Sequence, residues 1–151
     1  MALSAPRSAV SANDKVVIGV MGVGGRGTFL VERLAKMDNV EIAYLCDVNV
    51  RRFARATEAV VAAQRNKRPQ LIQDFRKMLD DKNVQGIVIA TPDHWHGLGT
   101  IMACQAGKDV YVEKPFSLTA FEGRKMIEAA QKYKQIIQVG TQTRSGRYFN
   151  D

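Results

Sequence analysis

Short apolar runs alternate along this chain with longer stretches in which apolar residues recur at helical spacing. The apolar runs predict strands over residues 16–21, 40–46, 71–72, 86–90, 109–112 and 135–139. The stretches between them predict helices over residues 26–36, 50–64, 75–79, 95–106 and 119–133. Such alternation predicts an α/β fold, in which helices cover both faces of a doubly wound parallel sheet within a single domain.

Three positions add local detail to this pattern. The run 86–90 is apolar throughout, as expected of a strand that is buried on both faces of a sheet. Asp74 stands where it would cap a helix over the residues that follow it. Thr119 with Glu122 has the form of a capping box at the start of the last helix. We therefore expect helices to begin at both places.

A glycine-rich turn joins the first predicted strand to the first predicted helix. Gly22, Gly24 and Gly27 have the spacing G-x-G-x-x-G. We expect Gly22 to permit the tight turn, Gly24 to let a pyrophosphate approach the backbone, and Gly27 to let the helix pack closely on the sheet. The helix would point its free N–H groups and the positive end of its dipole at the phosphates.

An acidic residue, Asp47, follows the second predicted strand, where dinucleotide-binding folds hold the adenosine ribose. Its carboxylate can accept hydrogen bonds from both ribose hydroxyls but would repel a 2′-phosphate, so it favours NAD over NADP. Arg51 and Arg52 follow closely and could soften that preference. The alternative is that the glycines form only a turn and that Asp47 is only a helix cap.

Ligands of open parallel sheets bind beyond the carboxyl ends of the strands. Three loops of this chain are expected at that edge, namely residues 22–26, 91–96 and 113–117. The first loop is expected to hold the pyrophosphate, and the other two lie where the nicotinamide end of a dinucleotide should reach. The sequence therefore predicts one site that is built by three loops.

Composition limits the function classes without selecting one. The 151 residues carry a net charge of +7, and 46% of them are hydrophobic and 25% charged, which is ordinary for a globular domain. No apolar run is long enough to cross a bilayer. The basic residues are scattered, so solvated helix faces explain them better than a nucleic-acid surface. We expect neither a nucleic acid nor a membrane as partner, and a nucleic-acid binder ranks third among the function classes.

The cysteines and histidines give no metal site. Cys46 and Cys104 fall inside predicted elements without metal-ligand spacing and are expected to be small buried apolar residues. His94 and His96 form an H-x-H pair, but no further ligand is spaced to complete a site, so no metal is predicted. We expect His96 to hydrogen-bond locally near the cofactor, whereas Trp95 fits either a pocket rim or the core.

The two ends of the chain differ from the alternating region between them. Residues 1–14 are rich in Ala and Ser and lack the apolar core of an intact signal peptide, so they predict a flexible leader. This leader fits either a cytoplasmic protein or a periplasmic or secreted one from which an export signal has been removed. Residues 15–140 form the predicted dinucleotide-binding domain, and the polar residues 141–151 predict a connector.

Five segments occur in a fixed order: GVMGVGGRG, LCDVN, ATPDHWHG, AGKDVYVEKPFS and QVGTQTRS. Together they resemble the glucose–fructose oxidoreductase / inositol dehydrogenase / MocA (Gfo/Idh/MocA) family of nicotinamide-dependent oxidoreductases. The resemblance covers residues 15–145. It implies a Rossmann fold, NAD as the cofactor with NADP less expected, and a small-molecule sugar or polyol as the substrate of full-length members.

The resemblance also implies roles for individual residues. Lys114 matches the family lysine beside the nicotinamide ribose and the substrate hydroxyl, and it is the predicted catalytic residue, since its amine could donate to a carbinol oxygen or help to move its proton. Glu113 is expected to orient Lys114 or the backbone. With the residues singled out above, the predicted cofactor-binding set is Gly22, Val23, Gly24, Gly25, Arg26, Gly27, Asp47, Arg52, Thr91, Pro92, His96, Glu113 and Lys114.

Whole members of this family have a second domain, an α+β unit that covers the nicotinamide, supplies acid/base residues and often mediates oligomer contacts. The sequence ends before such a domain. The expectation is therefore the NAD-binding half of a sugar or polyol oxidoreductase that does not turn over efficiently alone, with a homo-oligomer left open. Two alternatives also stay open, namely an NAD-dependent glycosidase of the same family and a non-catalytic dinucleotide-binding module.

Overall fold

The computed structural model describes residues 15–145. Its strands are β1 (Val16–Met21), β2 (Val40–Cys46), β3 (Gln70–Ile72), β4 (Gly86–Ile89), β5 (Asp109–Glu113) and β6 (Ile137–Gly140). Neighbouring strands are parallel and lie in the order β3-β2-β1-β4-β5-β6. The order reverses between β1 and β4, so the predicted doubly wound sheet is confirmed, and a crevice is expected between the carboxyl ends of these two strands.

Helices connect consecutive strands in this part of the chain. They are α1 (Gly25–Leu34), α2 (Phe53–Ala63), α3 (Arg76–Asp80), α4 (His96–Gln105) and α5 (Ala120–Tyr133). Short 3-10 turns cover Val50–Arg52, Asp93–Trp95 and Gln142–Ser145. Because each helix leads from one parallel strand to the next, its N-terminus lies at the carboxyl edge of the sheet, where the predicted site should be.

Two apolar layers hold the helices to the sheet. The first layer joins α1 and α2 to the strands and includes Val20, Val31, Ile42, Leu45 and Val60. The second layer joins α3, α4 and α5 to the strands and includes Met78, Ile87, Ile89, Ala103 and Met126. Val88 belongs to the first layer whereas its two neighbours belong to the second, which confirms that this strand is buried on both faces. Burying one such side chain stabilises a fold by about 1.5–3 kcal/mol.

Two helices differ from their predicted bounds by two residues or more, because local hydrogen bonds compete with the α-helical pattern. α1 ends at Leu34 rather than at residue 36, since the N–H groups of Lys36 and Met37 bond to carbonyls three residues back instead of four. α2 begins at Phe53, later than predicted. The reason is that Asn49 accepts a hydrogen bond from the N–H of Arg51 at 3.1 Å, which forms a tighter turn ahead of the helix.

The two predicted helix starts carry the expected side chains. The Thr119 hydroxyl accepts from the N–H of Glu122 at 3.2 Å, and α5 begins at the next residue, so this cap is confirmed. Asp74 accepts from the N–H of Arg76 at 3.1 Å, but Phe75 takes the cap position and α3 begins one residue later than predicted. Hydrogen bonds from Arg76 lower the pKa of Asp74 to about 2.

The last strand lies later in the chain than the predicted residues 135–139. Pairing with β5 begins where Ile137 lies opposite Val110. The preceding residue, Ile136, donates its N–H to the carboxylate of Asp109 at 2.9 Å instead of entering the strand. A side-chain acceptor has therefore replaced the backbone acceptor of the Ile136 N–H, although the Ile136 carbonyl still accepts from the N–H of Val110 at 2.9 Å.

The predicted terminal segments fall mostly outside the described residues. The predicted leader 1–14 and the end of the predicted connector, 146–151, both lie there. The first residues of the predicted connector, 141–145, lie inside the described range and contain the short turn Gln142–Ser145. No helix between residues 15 and 145 has the length and apolar character required to span a membrane.

The close packing of α1 on the turn after β1 gives a test of the fold. A Cβ at Gly27 would lie far inside the contact radius of the Gly22 carbonyl oxygen, whereas a Cβ at Gly25 would meet no atom within 4 Å. We expect Gly27→Ala to lower the free energy of unfolding by about 3 kcal/mol, because a backbone carbonyl cannot move aside easily. Gly25→Ala, in the same helix turn, should change it by less than about 0.5 kcal/mol. Urea denaturation of both variants measures the difference, and equal stabilities would contradict this packing.

Candidate functional site

The turn after β1 brings three backbone segments together. Gly22 has a φ of +87°, and its N–H donates to the carbonyl of Cys46 at 2.7 Å. A Cβ at this position would lie 2.8 Å from both the Ala90 carbonyl oxygen and the Thr91 nitrogen. A side chain therefore has neither the conformation nor the space that it needs here, and glycine keeps the end of β1 against the end of β4.

The N-terminus of α1 opens at this turn without a side-chain cap. Gly24 is the cap residue, no side chain bonds to the cap, and the first helical turn contains no acid. The first N–H groups of a helix have no partner within the helix, and they concentrate positive partial charge. A Cβ at Gly24 would meet only the Arg52 guanidinium, at an ordinary 3.5 Å. The turn is therefore a cradle of backbone amides that a side chain at Gly24 would partly fill.

Asp47 lies beside this cradle at the end of β2. Its carboxylate accepts hydrogen bonds from the N–H of Val23 at 3.0 Å and from the N–H of Asn49 at 2.9 Å. The Arg52 guanidinium lies 3.7 Å away as an ion-pair partner. Asp47 is only 6% exposed, yet each carboxylate oxygen can accept more than one hydrogen bond. The acid thus holds the turn in place and keeps acceptor capacity for a neighbouring hydroxyl group.

The loop after β4 carries Thr91, Pro92 and His96. The Thr91 hydroxyl oxygen is buried and has no hydrogen-bond partner among the described residues. His96 is 1% exposed, with Nε2 lying 3.0 Å from the Thr91 carbonyl oxygen and Nδ1 lying 2.7 Å from the Pro115 carbonyl oxygen. The imidazole therefore connects the loop after β4 to the loop after β5.

The loop after β5 places a buried acid beside an exposed lysine. Glu113 is 4% exposed, whereas Lys114 is exposed and precedes Pro115 through a cis peptide bond. The N–H of Lys114 donates to Glu113 Oε2 at 3.2 Å. The backbone of Lys114 is thus anchored at the carboxyl edge of the sheet, while its side chain is exposed.

Glu113 also pairs with the glycine-rich turn. Arg26 Nε donates to Glu113 Oε1 at 2.7 Å, and Arg26 Nη2 lies at the same distance. The Tyr111 hydroxyl donates to the same oxygen at 3.2 Å. The hydrogen bond to Glu113 raises the pKa of Arg26, and burial followed by the Glu113 charge raises the pKa of Tyr111. The guanidinium is therefore held in a charged pair rather than left free beside the amides.

The structure brings the predicted residues of all three loops to one edge. Three further residues take part that the sequence did not single out for the site, namely Asn49, Tyr111 and Gly140. A Cβ at Gly140 would lie 2.5 Å from the Tyr111 hydroxyl and 3.0 Å from Glu113 Oε1. Each of them lies near the end of a predicted strand and within one of the five segments that carry the resemblance, but neither signal gave it a role in the site.

The aromatic and histidine residues of the loop after β4 have separate positions. Trp95 is 39% exposed and packs edge-to-face on Phe75, with 6.4 Å between ring centroids, so it lies at the surface rather than in the core. His94 is exposed. Among residues 15–145, no group of three His, Cys, Asp or Glu side chains is arranged to hold a metal ion.

Both cysteines are buried free thiols, which confirms that prediction. Burial raises the pKa of Cys46 to about 12 and that of Cys104 to about 11. Because the thiolate is the reactive form, we expect both to resist iodoacetamide at pH 8 in the folded chain and to react once the chain is unfolded in urea. Mass spectrometry of the alkylated protein measures this, and rapid labelling of either thiol in the folded state would contradict its burial.

The fold and the site define a Rossmann dinucleotide-binding domain. A sequence-family model matches residues 16–141. It describes the Gfo/Idh/MocA oxidoreductase family, with an NAD-binding Rossmann fold. The chain therefore belongs to this family, as its resemblance implied.

Relatives and solved structures agree with this family. An alpha-N-acetylgalactosaminidase from Shewanella oneidensis is 31% identical over 123 residues, which cover 79% of this chain and 27% of that protein. A probable dehydrogenase from Thermotoga maritima has 28% identity and a TM-score of 0.79 over 89% of this chain and 38% of its own. The WlbA dehydrogenase from Bordetella pertussis, solved with NADH and UDP-GlcNAcA, has 26% identity and a TM-score of 0.77 over 90% of this chain and 40% of its own. The chain thus spans about a quarter of the length of the curated relatives that it matches.

Proposed function

We propose that this chain binds NAD and forms the cofactor-binding part of an oxidoreductase that transfers hydride between the nicotinamide and the hydroxyl-bearing carbon of a sugar or polyol. The observation that carries this proposal is the uncapped amide cradle beside Asp47. The unpartnered hydroxyl of Thr91 and the room over Gly24, where a Cβ would meet only the Arg52 guanidinium, also fit a bound dinucleotide. A diphosphate suits such a helix N-terminus because the amides and the dipole both favour negative charge.

Each group of the site has one task in this proposal. The main-chain N–H groups of residues 24–27 hold the diphosphate, and Asp47 accepts hydrogen bonds from the adenosine ribose. The bound nicotinamide supplies the hydride acceptor or donor. Lys114 donates a hydrogen bond to the substrate oxygen and helps to move its proton. Thr91, Pro92 and His96 line the carboxyl edge of the sheet between the amides that hold the diphosphate and Lys114.

NAD rather than NADP is the proposed cofactor. The Asp47 carboxylate faces the turn, where a 2′-phosphate would meet its negative charge. Arg52 is paired with this carboxylate at 3.7 Å, so its charge is partly offset within the protein. The pair is therefore better suited to two ribose hydroxyls than to a phosphate.

We propose that substrate turnover requires a longer protein, of which this chain is one part. The resemblance places the acid/base residues of family members in a second domain, and the chain spans 27% of the length of its curated relative. We propose dinucleotide binding for this chain and hydride transfer for a protein that also contains such a domain.

A glycosidase that uses NAD for transient oxidation is the second candidate. It is favoured by the relatives at 30–31% identity, which include a glycosyl hydrolase family 109 protein and an alpha-N-acetylgalactosaminidase. A product assay on a protein with the second domain separates the two functions. Net reduced cofactor would support the oxidoreductase, whereas a released sugar without net reduction would support the glycosidase.

Gly24→Ala tests the amide cradle directly. A Cβ at Gly24 meets only ordinary contacts within the protein, so the fold should tolerate it, but the methyl group would occupy the path of the diphosphate. We expect the Kd for NAD to rise at least about tenfold, which corresponds to about 1.4 kcal/mol. Gly86→Ala is the matched control, since its Cβ also meets only ordinary contacts and lies at the opposite edge of the sheet. Calorimetric titration of NAD decides, and equal affinities for all three proteins would refute the cradle.

Asp47→Asn tests the choice between NAD and NADP. The amide keeps one acceptor oxygen but loses the negative charge and releases Arg52 from its ion pair. We expect the preference for NAD over NADP to fall by about tenfold or more, equivalent to about 1.4 kcal/mol. Asp38→Asn is the matched control, because it removes the charge of an exposed acid at the amino edge of the sheet. It should leave the preference unchanged. Titration of both cofactors measures the ratio, and an unaltered ratio in Asp47→Asn would remove Asp47 from cofactor selection.

A further inference from the structure

One buried carboxylate connects the glycine-rich turn to the loop after β5, residues 113–117, which carries Lys114 and is called the lysine loop below. Glu113 is bonded to the Arg26 side chain through Oε1 and to the Lys114 N–H through Oε2, and its side chain is 5% exposed. We propose that Glu113 is a positioning residue that fixes the separation of these two segments, so that nucleotide binding at the turn and the placement of Lys114 are coupled. The link from Arg26 through Glu113 to the Lys114 N–H is called the brace below. The brace rests on this geometry alone, whereas its coupling to a ligand rests on the proposed function.

The Arg26–Glu113 contact is built to resist displacement. Both Arg26 nitrogens that reach Glu113 do so at 2.7 Å, which is the short range of charge-assisted hydrogen bonds. Breaking the pair would leave a buried carboxylate without its cation, which is unfavourable in a poorly solvated site. The two residues are 87 positions apart in the sequence, and β4 lies between β1 and β5 in the sheet. The pair therefore links the glycine-rich turn after β1 to the loop after β5 across β4.

Surrounding groups hold Glu113 in this orientation. The Tyr111 hydroxyl donates to Oε1 at 3.2 Å, and the absence of a side chain at Gly140 leaves room for both groups. A Cβ at Gly140 would stand 3.0 Å from Oε1 and 2.5 Å from the Tyr111 hydroxyl. β5 and β6 therefore leave room for the carboxylate beside the Tyr111 hydroxyl, in the orientation in which it also bonds to Arg26.

A second route joins the same two segments. Gly22 packs against the backbone of Thr91, whose carbonyl oxygen lies 3.0 Å from His96 Nε2. His96 Nδ1 lies 2.7 Å from the Pro115 carbonyl oxygen. Contacts thus run from the turn to the lysine loop on two sides, with Glu113 on one and His96 on the other. Lys114 stands between these two anchors.

Arg26→Met tests the brace without any ligand. Loss of the guanidinium should speed the backbone hydrogen exchange of residues 113–117 by about tenfold or more, because the partner that orders Glu113 is gone. Arg33→Met is the matched control. Both arginines lie over the Phe29 ring, at 5.2 and 5.1 Å, but only Arg26 reaches Glu113. Unchanged exchange in Arg26→Met, or equal changes in both variants, would overturn the brace. If Arg26→Met does not fold, Tyr111→Phe removes a single bond to Glu113 and should give a smaller change in the same direction.

Glu113→Gln tests the coupling to nucleotide binding. ADP reaches only the turn and Asp47 in the proposed site, whereas NAD extends to the Lys114 loop. We expect the Kd for ADP to stay within about twofold and the Kd for NAD to rise about fivefold or more, the lower end of usual coupling between sites. Equal losses for both nucleotides, or no loss for either, would overturn the coupling. If the unsubstituted chain binds neither nucleotide, the proposed function and the coupling both fail, while hydrogen exchange still decides the brace.

Discussion

Backbone contact between the end of β1, the end of β4 and the start of α1 is the constraint on which the site depends. The Gly22 carbonyl oxygen occupies the space that a Cβ of Gly27 would need, and Ala90 and Thr91 occupy the space that a Cβ of Gly22 would need. The separation of these segments is therefore set by backbone atoms rather than by side chains that can rearrange. It holds the uncapped amides of α1 at the crevice where the strand order reverses.

The charged side chains of this edge are largely paired within the protein. Asp47 accepts two backbone N–H groups and faces Arg52, and Glu113 is bonded to Arg26. The positive charges closest to the turn are thus offset, and the groups left to hold an anion are main-chain amides of fixed direction. Recognition by such amides depends on the shape of the anion more than on its total charge. The net charge of +7, spread over the chain, accordingly says little about the ligand.

The sequence predicted the sheet, the turn and the acid that follows β2 because each leaves a local pattern. Apolar runs identified the strands, and the glycine spacing identified the close approach that Gly22 and Gly27 make. The shared edge followed from topology, since the carboxyl ends of parallel strands meet. The helix ends were less predictable, because Asn49 and Asp74 offer side-chain acceptors that compete with the regular helical bonds.

The contacts between loops could not be derived from the sequence. Nothing in the spacing of Arg26 and Glu113 indicates that their side chains meet, because the contact depends on rotamers that the packed strands select. The same holds for Tyr111 and for the absence of a side chain at Gly140. The resemblance marked Arg26 and Glu113 as members of the site, and the structure supplies the physical link between them.

Lys114 combines an anchored backbone with an exposed side chain. Its N–H is held by buried Glu113, and the next residue, Pro115, lies against buried His96. The point at which this side chain leaves the backbone is therefore fixed by the fold, and the side chain itself is exposed. In the proposed function, the nicotinamide, the substrate and the second domain surround it. The contribution of this chain to the chemistry is then the placement of the lysine relative to the amide cradle, which the rigid edge of the sheet provides.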